Sequence, residues 1–290
     1  MKNFEKLTII IITYKSEDII YNFIKKIPKN IKTLIVENSK NFELKKNIEE
    51  KFINTTVYLK ENNGFSSAFN LAVEKVDTEY FLHLSPDILL NFDDIDIFSD
   101  YAKKLDNKFC ALGPRFINTK KRGHIQIDDN LEIGKIRSIH GSYMFFNKKT
   151  FYEIGEWDEN IFLYFEELLF CTKGNKKGLF SYQINKVQVE TKGTTVVISD
   201  SIERNKWLDL LKWHFIWSKF YVSKKRYGFT TSIIIFIPTI VRLFIRLCMY
   251  FVFNNETKLR KYKIRFNGLY NSIIGKKSYL RIEDINEYNK

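Results

Sequence analysis

The chain has 290 residues, 44% of them hydrophobic and 16% aromatic, which suits one large domain or a domain with an appendage and excludes a disordered polymer. Its net charge of +13 is lopsided: residues 1–200 hold 29 Lys and Arg against 28 Asp and Glu, whereas residues 201–290 hold 18 against 6. Three scattered cysteines, Cys110, Cys171 and Cys248, exclude a disulfide framework and a thiolate metal cluster, and suit a reduced, cytoplasmic setting.

Leu7 to Ile12 is an unbroken β-branched run, which predicts a strand buried on both faces. It is too short, and too close to acidic Glu5, for the core of a secretion signal. A helical pattern from Glu17 to Ile27 stops at Pro28, and Thr33 to Val36 reads as a second buried strand ending in Glu37-Asn38-Ser39. A helix over 44–52, a strand over 56–59, a turn at Glu61-Asn62-Asn63-Gly64 and a helix over 66–76 follow. A fourth strand, 79–84, ends at Ser85-Pro86-Asp87. Strands alternating with helices at this spacing predict a doubly wound α/β sheet, whose ligands bind beyond the carboxyl ends of the strands. Those ends hold Thr13-Tyr14, Glu37-Asn38 and Ser85-Pro86-Asp87.

Beyond Asp87 the rhythm is looser. Helices are expected over 93–105, 162–173 and 202–225, and strands over 111–116, 142–147 and 182–189. The charge asymmetry places a domain at residues 1–200 and a basic, aromatic helical extension at 201–290.

Six short motifs stand in order: Thr13-Tyr14-Lys15-Ser16; Val36-Glu37-Asn38-Ser39; Asn63-Gly64-Phe65 through Asn70; Ser85-Pro86-Asp87; Trp157-Asp158-Glu159; and Phe162 through Glu166-Glu167. Each is weak alone, but together over residues 7–200 they resemble the family-2 glycosyltransferases, nearest to the rhamnosyltransferase-like branch. That resemblance implies a GT-A nucleotide-diphospho-sugar transferase domain. It further implies an inverting transferase that moves a sugar from a nucleoside-diphosphate donor with help from Mg²⁺ or Mn²⁺. Such hard cations suit carboxylate oxygen, and they stabilise a diphosphate leaving group.

The resemblance carries roles onto particular residues. Asp87 takes the metal, with Ser85 where the family has an amide or carboxylate. Glu37 stands where an aspartate recognises the base, and Thr13 and Tyr14 line that pocket. Asn63, Gly64 and Asn70 flank a helix start suited to ribose or diphosphate. Of the adjacent Glu166 and Glu167, only one can face the sugar. The family pattern favours Glu167 as the base that deprotonates the acceptor hydroxyl, with Glu166 as the other candidate. Gly141, Ser142, Trp157 and Asp158 fall on the acceptor side. The family's His-x-x-Gly-x-Ser is replaced by Glu190-Thr191-Lys192-Gly193-Thr194-Thr195, so Glu190 is the second metal candidate and Lys192 a phosphate contact. These departures leave a second reading open, a catalytically weak or inactive relative that binds nucleotide or glycan within an assembly.

The tail adds a location. Residues 229–253 form a 25-residue apolar stretch, long enough to cross a bilayer at about 1.5 Å per residue. Arg242 and Arg246 lie inside it, each costing roughly 2.5–3.5 kcal/mol near a bilayer centre, and Pro238 interrupts it. An in-plane amphipathic segment, or a shallow hairpin, on an anionic membrane surface therefore fits better than a span, and a buried core helix is the remaining alternative. The aliphatic run Ile233 to Ile237 argues against nucleic acid as the partner. The expectation is a peripheral enzyme of polysaccharide biosynthesis on the inner face of the cell membrane, acting on a lipid-linked or surface-polysaccharide acceptor.

Overall fold

The computed structural model describes residues 5–118, 125–193 and 196–285. The chain divides into two compact units, one of residues 1–158 and 170–197, the other of residues 159–169 and 198–290.

The first unit is an α/β sandwich. Its elements in chain order are β1 (Leu7–Thr13), α1 (Glu17–Ile24), β2 (Lys32–Glu37), α2 (Phe42–Lys51), β3 (Thr55–Leu59), α3 (Phe65–Lys75), β4 (Tyr80–Leu84), β5 (Ile88–Leu89), α4 (Ile95–Lys104), β6 (Leu112–Phe116), β7 (Ile133–Ile136), β8 (Tyr143–Asn147), α5 (Lys148–Ile154), α6 (Glu166–Lys176, whose first turn belongs to the second unit) and β9 (Ser181–Thr191). The sheet runs β3-β2-β1-β4-β8-β6-β9-β5, with β7 paired to β9. The first four strands of that order are parallel; β8 enters antiparallel to both β4 and β6, so the sheet is mixed and not wholly parallel.

Strand alternation explains why the apolar runs are unbroken. Ile9 and Ile11 of β1, Leu82 of β4 and Phe145 of β8 point into one apolar layer, under α1, α2 and α4. Ile10, Phe81 and Phe146 point into the other, under α3, α5 and the later part of α6. Both faces are covered by helices, so neither can be polar.

The second unit packs α7 (Ser201–Tyr227), α8 (Phe229–Val252) and α9 (Glu256–Ile273). Trp213 and Trp217 of α7 are almost fully buried, and the Trp213 indole donates to Asn267 of α9 at 2.8 Å. A Cβ added to Gly268 would lie 2.7 Å from the Trp213 carbonyl oxygen, so glycine lets these two helices approach. Asp209, buried on α7, accepts from Arg260 through two nitrogens (2.9 and 2.7 Å) and from Lys212 (2.7 Å). Two expectations need correcting. The helix placed at Phe162 begins at Glu166, and Pro238 does not interrupt α8, which is continuous from Phe229 to Val252.

Candidate active site

The donor-side residues gather where the parallel strands end. Thr13 and Glu37 are register partners at the ends of β1 and β2, and the Asn38 N–H donates to the Thr13 carbonyl at 2.9 Å. The Thr13 hydroxyl and the Asn38 carboxamide oxygen are buried without hydrogen-bond partners. Buried polar atoms left so are costly and mark a place made for a ligand or water. Tyr14 is half-buried beside them, its carbonyl accepting from the Ser16 hydroxyl at 3.0 Å.

Glu37 is fully buried, and its carboxylate is already engaged. One oxygen accepts from the Ser39 N–H (2.9 Å) and hydroxyl, and the other from the Asn41 N–H at 2.8 Å. It shapes the loop that leads into α2, which Asn41 caps by accepting from the Leu44 N–H. The oxygen that serves Ser39 is fully used, whereas the one that serves Asn41 keeps a second lone pair, so capacity to accept from a base remains there.

Gly64 precedes α3 with φ 103°, a left-handed conformation that a side chain would strain, and no side chain caps that helix. A helix start without a side-chain cap is a setting that suits an anion. Asn63 is exposed next to it. Asn70 behaves otherwise. Its carboxamide donates to the Trp157 carbonyl at 2.9 Å and accepts from the Trp157 N–H at 3.1 Å, tying the loop before α6 to α3. Trp157 itself is 3% exposed and stacked on Phe69, with centroids 4.0 Å apart at 7°. Neither side chain is thereby shown to meet a ligand. The tryptophan belongs to the core, and the asparagine holds its backbone.

Ser85-Pro86-Asp87-Ile88 is a tight turn closed by Ile88 N–H donating to the Ser85 carbonyl (3.1 Å), with proline at the position whose φ it pre-sets. It aims Asp87 at the last residues of β9. Asp87 is 4% exposed. Its Oδ2 accepts from the Thr191 hydroxyl (2.7 Å) and the Gly193 N–H (2.8 Å), while its carbonyl accepts from Lys192 N–H at 3.0 Å. Gly193 has φ 73°, which permits that N–H to turn inward. Oδ1 is buried and without a partner. One carboxylate oxygen is thus clamped and the other kept open, which fits a hard cation. Among the described residues no three His, Cys, Asp or Glu converge; Mg²⁺ usually takes one or two carboxylates and completes its shell with phosphate oxygens and water.

Glu190 does not join this arrangement. Side chains alternate along a strand, and Thr191 is the one directed at Asp87, so Glu190 projects to the other side. Thr191, with the Gly193 N–H, is the neighbour that the linear motif does not single out. The Lys192 side chain is exposed. Gly141 and Ser142 are half-exposed; the Ser142 carbonyl accepts from Ser85 N–H at 2.9 Å, which brings this pair beside the Asp87 turn. Asp158 is half-buried. Thr194 and Thr195 lie outside the described residues.

In the second unit, Glu166 and Glu167 open α6, where acidic side chains complement the helix dipole. Tyr164 and Phe165 before them have φ of 76° and 70°, a strained conformation for bulky residues. The segment is held in it by rings stacking on α7: Phe162 on His214 at 4.4 Å, and Tyr164 and Phe165 against Phe215 at 5.4 and 5.2 Å. Ser218 also donates to the Leu163 carbonyl at 2.8 Å. Glu166 is 5% exposed with one carboxylate oxygen unpartnered. Burial, reinforced by the charge of Glu167, raises its pKa well above the ordinary carboxylate range. Glu167 is half-buried, and burial pushes it up to about 7, the range in which a carboxylate can take a proton near neutral pH.

Residues 8–172 match the family model described as glycosyl transferase family 2. The chain is 26% identical over 202 residues, 60% of its length, to the low-salt glycan biosynthesis hexosyltransferase Agl10 of Haloferax volcanii, and 31% identical over 115 residues, 35% of its length, to the uncharacterized glycosyltransferase RC0461 of Rickettsia conorii. It spans 63% of the first relative and 19% of the second. Among solved structures, GalNAc-T7 with UDP, GalNAc and Mn²⁺ matches with TM-score 0.53 at 12% identity, covering 66% of this chain and 44% of that one. The S. aureus TarS fragment 1–349 in complex with UDP-GlcNAc matches with TM-score 0.52 at 14% identity, over 95% of this chain and 93% of that one. At such identity these likenesses speak for the fold, and the fold is that of the GT-A transferases.

Proposed function

Because the chain belongs to glycosyl transferase family 2, we propose that it transfers a hexose from a nucleoside-diphosphate donor to a glycan acceptor, with inversion and with a divalent cation. The observation that carries this reading is Asp87, a buried carboxylate with one oxygen clamped by Thr191 and Gly193 and the other open. That is the economy of a cation site completed by its substrate's phosphates.

In this reading Thr13, Tyr14 and Glu37 receive the nucleoside, while Gly64, Asn63 and the uncapped start of α3 favour ribose or diphosphate. Asp87 would hold Mg²⁺ or Mn²⁺, and the cation would stabilise the charge on the departing diphosphate. Ser85, Gly141 and Ser142 form the rim beside that aspartate, and Lys192 offers a charge from the exposed loop. Glu167, ionisable near neutrality, removes the acceptor hydroxyl's proton as its oxygen attacks the anomeric carbon. Glu166, its pKa raised by burial and by its neighbour's charge, stands beside it as the other candidate. Asp158 remains the acceptor-side candidate.

The basic, apolar second unit supports residence at the inner face of a cell membrane, where a lipid-linked or surface-polysaccharide acceptor would be met. Calorimetry of UDP, dTDP and GDP with and without Mn²⁺ tests the donor side. Metal-dependent binding that disappears in Asp87→Ala is expected, and binding indifferent to metal and to that substitution would refute the proposal. The second reading, a weak or inactive relative, rests on Glu37, Glu167 and Glu190 standing where the family pattern has other residues. Nucleotide binding with no glycoside product by mass, across donors and native lipid acceptors, would favour it.

A further inference from the structure

Helix α8 has two apolar sides. Ser232, Phe236 and Leu243 form the buried one, where Phe236 meets Phe220 of α7 edge-on at 5.1 Å and the Ser232 hydroxyl meets that of Ser223 at 2.8 Å. Leu269 of α9 packs into the same cluster. On the opposite side Ile234, Ile237, Val241, Phe244, Ile245 and Phe251 are between 49% and 73% exposed. At about 100° per residue these six occupy roughly a third of the circumference. Soluble surfaces rarely leave so long an apolar strip uncovered.

The charges around the strip say what covers it. From Phe229 to Ile273 the sequence holds seven Lys and Arg and one acid, Glu256. Arg242 and Arg246 fall along one border of the strip, four residues apart and thus on one side of the helix. Arg246 donates to the Tyr250 hydroxyl at 3.2 Å and lies 5.6 Å from the Tyr262 ring centroid; the two tyrosines stack at 5.4 Å, and Lys258 sits over Tyr250. Among the described residues no carboxylate pairs with Arg242, Arg246, Lys258 or Lys261. Apolar side chains edged by tyrosines and unneutralised cations match a bilayer boundary, with acyl chains below and anionic phosphates beside them.

We propose that α8 lies flat on an anionic lipid leaflet, its exposed strip in the acyl boundary and Arg242 and Arg246 at the headgroup phosphates, and that it does not cross the membrane. Crossing would bring α9 into hydrocarbon too, since the buried side of α8 is packed on it, and α9 carries Lys258, Arg260, Lys261, Lys263 and Arg265. The inference stands on the second unit alone, independent of the sugar-transfer chemistry.

The test is flotation of the full chain with vesicles of phosphatidylcholine, alone or mixed with phosphatidylglycerol. Binding is expected with the mixed vesicles only, weakened by salt, and reduced at least tenfold by Val241→Asp with Phe244→Asp, positions whose exposure leaves the fold intact by circular dichroism. Depth is read with Val241→Cys in a Cys248→Ser background carrying a fluorophore, since Cys110 and Cys171 are buried. Lipids with the quencher near the carbonyls should act more strongly than those labelled at the chain ends. Equal binding to neutral vesicles, or strongest quenching from the bilayer centre, overturns the proposal. So does a concentration-dependent dimer without lipid that the aspartates dissolve while flotation persists, because the strip would then cover a second copy.

Discussion

Glu167→Gln separates the two consequences of burying a carboxylate. In the folded chain its pKa lies near 7, against an ordinary 4.5, and burial is the main cause. Each tenfold change in proton affinity is worth about 1.4 kcal/mol, and solvent still reaches a half-buried side chain, so ionised Glu167 opposes folding by about 2–3 kcal/mol. The sign follows from the folded pKa lying above the unfolded one. The penalty is absent below about pH 4.5, grows between 4.5 and 7, and is complete above 7. Glutamine has the same shape and no charge, so Glu167→Gln should match the parent in urea unfolding at about pH 4.5 and exceed it by about 2–3 kcal/mol at about pH 8, read by tryptophan fluorescence with an unchanged m-value. Turnover should fall by about 10² or more, the usual worth of a general base, and the parent kcat should rise with pH through an apparent pKa near 7. Parallel stability curves for the two proteins across that pH range would refute the burial argument. If Glu167→Gln stays active and Glu166→Gln does not, the base is Glu166.

Thr191→Val removes the hydroxyl that holds Asp87 Oδ2 at 2.7 Å, a bond to a charged acceptor worth about 1.5–3 kcal/mol. Mn²⁺-dependent nucleotide affinity should drop about tenfold or more by calorimetry, and unchanged affinity would show that the clamp does not orient the aspartate. Asn70→Ala breaks both bonds to the Trp157 backbone and should cost about 2–4 kcal/mol in denaturant unfolding while nucleotide affinity stays within a few-fold; a selective loss of affinity would place Asn70 in the donor site. Asp209→Ala leaves Arg260 and Lys212 without their buried partner, and should destabilise the chain by about 3–5 kcal/mol, visible as a lowered Tm.

Much of the first unit is legible in the sequence because its strands are buried on both sides. Leu7 to Ile12 and Thr33 to Val36 need apolar or β-branched residues at every position, and the polar residues that stop them, Thr13, Glu37 and Ser85, stop them at one edge of the sheet. Periodicity is less help after Asp87. The two-residue strand Ile88–Leu89 and the strand Ile133–Ile136 are too short to show a period, and the latter is only half-buried. The start of α6 escapes a local reading because Phe162-Leu163-Tyr164-Phe165 continues the apolar pattern of the helix it precedes. Its left-handed turn is imposed by ring contacts with α7, some 50 residues further along the chain.

The amino-acid sequence alone determined the α/β alternation, the asymmetry of charge and the order of polar residues at strand ends, since these depend on local period and on which residues interrupt it. The tertiary structure decided what each polar residue faces. Trp157 and Asn70 look like site residues in a linear motif, yet they meet across 87 positions and stabilise the core. Glu190 is the conspicuous acid near the end of β9, but one step of strand alternation gives Asp87 to Thr191 instead. Pro238 and two arginines suggest a broken or hairpin segment, whereas packing on α7 and α9 keeps α8 whole and leaves one apolar side outward. In each case a residue's type was fixed by the chain and its partner by contacts distant in sequence, which no local pattern encodes.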